Sequence, residues 1–163
     1  MCCNYGMAAY TEPLYSVARE YPVSLERLWE AWTDASELQD WYCPTNLTNM
    51  PGSVASEPVV GGWWTVAVDA SAYGHIAYFY GKYTEVEPQS LLVHTMHYTQ
   101  DETEFGVRDL DAPQAIIRID LQPCAGGAWA RFAHYGELPA DQIPLARAGM
   151  ESYFDNLGRH LAD

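Results

Sequence analysis

Positive charge is what this sequence has least of. Eight Lys and Arg stand against 22 Asp and Glu in 163 residues, a formal charge of −14. A chain so charged repels phosphate backbones and anionic headgroups, so nucleic acid and membrane surfaces are not expected partners. Long hydrophobic runs are missing too: no stretch approaches the roughly 20 apolar residues that span a bilayer. The opening Met1-Cys2-Cys3-Asn4-Tyr5-Gly6 lacks the basic and apolar regions of a secretory signal. A cytoplasmic protein is the expectation. Cysteine occurs only at 2, 3, 43 and 124, with no C-x-x-C pair, so free thiols are expected rather than a disulfide framework or a zinc knuckle.

Several kinds of chemistry lack their residues. There is no G-x-S-x-G elbow for a nucleophilic serine, and Gly61-Gly62 and Gly126-Gly127 lack the Lys-Ser/Thr that completes a phosphate loop. His94 and His97 are three apart on what reads as a strand, so they face opposite sides and cannot grip one ion. No metal and no cofactor is expected.

Large side chains are abundant: twelve Tyr, six Trp and four Phe in a chain that is 48% hydrophobic. A chain of this length suits one domain with one core, and so many rings fill or line something wide. Residues 1–10 carry no periodicity and read as a loose leader to a single domain over 11–163. Tyr15 to Tyr21 alternates as a first strand ending at Pro22. Ser24 then caps a helix in which Leu25, Leu28, Trp29 and Trp32 make one stripe, and Ser36 caps a second short helix that Pro44 stops. Pro51 to Pro58 is turn-like. Strands follow at Trp63–Asp69, His75–Val86, Leu91–Tyr98, Gln114–Leu121 and Ala128–Tyr135, broken by Glu87-Pro88, an acidic loop from Gln100 to Asp111, and Ala125-Gly126-Gly127. The connections are too short for parallel crossovers, so the sheet is antiparallel. Ile143, Ala146, Met150, Phe154, Leu157 and Leu161 then recur at helical spacing, with Pro144 tolerated in the first turn. A sheet followed by one long amphipathic helix is a two-layer α+β domain.

Four pieces in order resemble the START-like, or SRPBCC, superfamily and its branch named for the activator of the 90-kDa heat-shock-protein ATPase. Arg27-Leu28-Trp29-Glu30-Ala31-Trp32-Thr33-Asp34 with Leu38 and Trp41 is similar to the family's V-W-x-A-W-T-D-P-E-x-L-x-x-W, with Ala35 where Pro is usual. Gly61-Gly62 opening a strand, Gly81 to Pro88 and Arg131-Phe132-Ala133-His134 are the others. The resemblance implies a helix-grip (START-like, Bet v-like) fold, a curved antiparallel sheet wrapped around the long C-terminal helix, with two short helices after the first strand. Two departures stand out: Gly149-Met150 where relatives often have Gly-Trp, and Met96 where the strand often ends in Trp.

Such a fold leaves a space between sheet and helix. The family register points Trp64, Val66, Leu92, His94, Met96, Tyr98, Ile117, Ile119, Ala130, Phe132, His134, Met150 and Phe154 into it, and Arg118 and Arg131 outward. The parity of Tyr78, Tyr80 and Tyr83 stays open, because a bulge near Glu85 would invert it. The expected partner is a small hydrophobic molecule, aromatic or polyketide-like, bound by a monomer or homodimer. His94, His134 and Tyr98 are the polar candidates for an alternative role as a cyclase, lyase or isomerase. The branch name alone adds a third reading, a chaperone-associated module. The acidic loop is expected to be solvated or to cover the pocket mouth, and Gly149, unfavourable in mid-helix, implies either a close approach of sheet or ligand or close helix packing.

Overall fold

The computed structural model describes residues 12–112 and 114–163; the leader over 1–10 lies outside them, as do Cys2 and Cys3. Strand β1 (Tyr15–Tyr21) leads to α1 (Leu25–Thr33) and α2 (Ala35–Trp41). The Ser24 hydroxyl caps α1 by accepting from the Arg27 amide at 3.0 Å, and Leu28, Ala31 and Trp32 are buried. The cap of α2 differs from expectation. Asp34, which ends α1, also accepts from the amides of Ser36 and Glu37, and the Ser36 hydroxyl merely donates to that carboxylate at 2.6 Å. With Asp34 the single residue between the helices, it has to serve both.

Two short strands, β2 (Thr48–Asn49) and β3 (Ala55–Ser56), pair with β4 (Trp63–Ala70) across the stretch that reads as turns. Two residues are too few to alternate, so sequence pattern cannot reveal them. Then come β5 (His75–Glu87), β6 (Leu91–Thr99), α3 (Glu102–Val107), β7 (Ala115–Cys124), β8 (Gly127–Tyr135) and α4 (Ile143–Ala162). The sheet runs β1-β8-β7-β6-β5-β4-β2 with β3 beside β4, and every pairing is antiparallel. This is the helix-grip arrangement. The β7–β8 hairpin is longer than the sequence suggests because Cys124 pairs with Gly127, leaving Ala125 and Gly126 as the turn, with Gly126 at φ 85°. No helix among the described residues is long and apolar enough to cross a membrane.

The acidic segment is not simply a solvated loop. Asp101 caps α3, which lays Phe105 against Tyr78 (ring centroids 4.9 Å) on the outer face of the sheet. Tyr80 stacks there on His97 at 4.7 Å and donates its hydroxyl to the Asp109 carbonyl. The tyrosine parity is settled by a bulge between Tyr83 and Glu85. Tyr78 and Tyr80 face outward, Tyr83 faces inward against His94, and Val86 points in again beyond the bulge. Gly81 is required by close approach: a Cβ there would overlap the Thr95 carbonyl oxygen.

Helix α4 closes the inner face unevenly. Its second half inserts Phe154 and Leu157 into the core and is tied down on several sides. Arg19 reaches Asp155 (2.6 Å) and Glu151 (2.8 Å), Tyr21 donates to the Phe154 carbonyl at 2.8 Å, and Asn156 donates to the carbonyls of Trp41 and Cys43. His160 meets Glu37 at 2.9 Å. No side chain from 143 to 150 hydrogen-bonds or ion-pairs with another described residue.

Candidate functional site

Under that untied half of α4 lies an interior chamber of about 240 Å³. The helix supplies Ala146, Gly149, Met150 and Tyr153 as its roof. Tyr15 of β1, Trp64 of β4, Phe79 of β5, Met96 of β6 and Phe132 and His134 of β8 form floor and walls, and Tyr42, just past α2, closes one end. Phe79, Met96, His134 and Ala146 also line a larger open vestibule of about 820 Å³, so the two spaces adjoin. Tyr98, Leu110 and Leu138 border the vestibule, as do the acidic Asp111 and Glu137.

Local structure explains why the chamber stays open. Trp64 pairs with Gly81 across the β4–β5 ladder and stacks on His94 with ring centroids 4.0 Å apart. A mid-helix Gly is about 1 kcal/mol less favourable than Ala, yet at Gly149 an added Cβ would meet no atom within 4 Å. No part of the sheet approaches it, and it lies half-buried on the chamber's lining. Met96 and Met150, the two departures noted in the sequence, both line the same space.

The polar atoms are few. Tyr15 Oη and His134 Nδ1 lie 3.1 Å apart, and burial pushes His134 down to about 4, leaving a neutral imidazole. Burial also raises the phenol pKa values of Tyr15, Tyr42 and Tyr153. His94 is fully enclosed: its Nδ1 bonds the Thr95 carbonyl at 2.8 Å, its Nε2 has no partner, and burial again pushes it down to about 4.

The inward-facing residues expected from sequence therefore separate. Trp64, Met96, Phe132, His134 and Met150 come together on the chamber, whereas Tyr98 stands at the vestibule, half exposed, its hydroxyl accepting from Gln100 at 2.7 Å. Val66, Leu92, Ile117, Ile119, Ala130 and Phe154 face inward but pack into the core without lining either space. His94 sits behind Trp64 rather than on the cavity. His97, on the opposite face, stacks outside. Sequence reasoning did not place Tyr15, Tyr42, Phe79, Ala146, Gly149 and Tyr153 on the cavity. Helical spacing from Met150 could have found Tyr153 and Ala146; nothing periodic marks Tyr42, which lies between elements.

Residues 22–162 match the family described as activator of Hsp90 ATPase homolog 1-like protein. The chain belongs to that family. Solved structures with the same fold include one described as an AHSA1 protein from Silicibacter pomeroyi, 22% identical, covering 91% of this chain and 96% of its own, with a TM-score of 0.73. A Chromobacterium violaceum protein is 22% identical over 89% of this chain and 94% of its own, TM-score 0.70. A protein from the dynemicin biosynthetic locus is 18% identical over 90% of this chain and 46% of its own, TM-score 0.66. At these identities the likeness is one of fold. No curated protein matches the sequence.

Proposed function

We propose that this family member binds a small, largely apolar ring compound in the chamber between sheet and helix. The observation that carries the reading is Gly149. A half-buried helix glycine on the chamber's lining, where an added Cβ would meet no atom, forgoes helix stability and keeps volume free. Rings and two methionines line that volume, the usual make-up of small-ligand sites. An apolar cavity of about 150 Å³ takes benzene, so this one suits one or two rings, with longer substituents leaving through the vestibule.

The test replaces Gly149 by Leu. Ligands found by thermal shift or native mass spectrometry should lose at least tenfold in affinity while the apo protein melts a few degrees higher. Unchanged affinity would exclude the chamber as the site.

A second reading rests on the Tyr15–His134 pair. A neutral imidazole bonded to a phenol inside an apolar chamber can relay a proton, the minimum for a cyclase, lyase or isomerase. Of the sequence candidates this role falls to His134, with Tyr15 as the tyrosine, because His94 lacks access and Tyr98 stands at the rim. Turnover of a bound compound that survives His134→Gln would remove it.

A further inference from the structure

Resting on the binding reading above, the polar inventory of the chamber narrows the chemistry of its occupant. No Lys, Arg, Asp or Glu lines it. The phenols of Tyr15, Tyr42 and Tyr153 keep their protons because burial raises their pKa values, and His134 is neutral near pH 7. Tyr15 and His134 share one hydrogen between them. Tyr42, 4% exposed, and Tyr153 have hydroxyls without a hydrogen-bond partner among the described residues. Both tyrosines line the chamber.

We infer that the chamber selects a neutral ring compound carrying a carbonyl or similar acceptor oxygen, seated where the Tyr42 and Tyr153 hydroxyls can donate to it. Unpaired buried donors reward an acceptor. A carboxylate would enter an uncharged, low-dielectric space with no cation to meet it, inside a chain of formal charge −14. Any positive charge on the ligand belongs outside, near Asp111 and Glu137 of the vestibule.

Calorimetry with four two-ring probes tests this: naphthalene, the ketone 1-tetralone, the anion 1-naphthoate, and trimethyl(naphthyl)ammonium for the cation-over-ring alternative. Tetralone should bind about tenfold more tightly than naphthalene, and the two ions should bind more weakly than either. Tyr42→Phe keeps the ring and should cost tetralone about tenfold while leaving naphthalene unchanged. If naphthalene and tetralone bind equally, both blocked by Gly149→Leu, the acceptor assignment fails and the binding reading stands. Preferred binding of either ion also overturns the assignment. If no probe binds, both fall.

Discussion

The two halves of α4 do opposite things with the same backbone. From Glu151 onward the helix is held by Arg19, Tyr21, Glu37, Trp41 and Cys43 and drives Phe154 and Leu157 into the core. From Ile143 to Met150 it carries Pro144 and Gly149, makes no side-chain hydrogen bond and roofs a chamber. The difference shows how a helix-grip domain can be stable and hollow at once. Stability is concentrated where the helix meets β1 and the two short helices, which frees the other end to cover space.

The largest expected effect lies in the packed half. Phe154→Ala should cost about 3–5 kcal/mol, as ring removal from a tight core does, read by urea unfolding; a loss under about 1 kcal/mol would contradict the division. Next is acid. His134, beneath the roof, has a folded pKa of about 4 against about 6.5 unfolded. A depressed imidazole contributes its full stability above about pH 6.5 and loses it as pH falls toward 4, about 3 kcal/mol over the window. His134→Gln should flatten that fall but not abolish it, since His94 has the same shift. Amide exchange at pH 4.5 should quicken first in 143–150.

A matched pair of glycines sharpens the contrast. Gly149→Leu should stabilise by about 1–3 kcal/mol through helix propensity and new burial. Gly158→Leu should destabilise by about 1–3 kcal/mol, because a Cβ there already touches the Tyr21 ring at 3.5 Å. Equal signs in thermal melts would erase the distinction between the halves. The smallest effect is Tyr21→Phe, which removes one hydrogen bond to the Phe154 carbonyl and should cost about 1 kcal/mol.

The architecture was legible because its signals are long-range patterns: alternation in the strands, a twenty-residue stripe in α4 and the Trp-rich helix pair. Where those patterns thin out, so did legibility. Asp34 capping two helices, the two-residue strands and the Phe105-bearing helix are each too short to carry a period. The cavity was half legible. Parity indicates that Val66 and Ile117 face inward just as Trp64 and Met96 do, but whether an inward residue touches space or core depends on which stretch of α4 lies above it. That is a property of packing, not of alternation, and so His94 and Phe154 read as cavity residues although both are sealed.

The bulge between Tyr83 and Glu85 has a bearing on relatives of different length. Because it resets which face each residue occupies, β5 is in effect two reading frames joined at Thr84. On one side Gly81 and Tyr83 belong to the interior; on the other Val86 does. A one-residue deletion at that joint would remove the extra residue and leave Tyr83 and Val86 both inward, whereas the same deletion elsewhere in β5 would turn one frame over and carry Val86 to the outside, or Tyr83 out of reach of Ser56, whose hydroxyl lies 2.8 Å from its own. Gaps placed in β5 when homologues are aligned are therefore assignments of face, and moving one away from the joint changes which side chains are taken to face the interior.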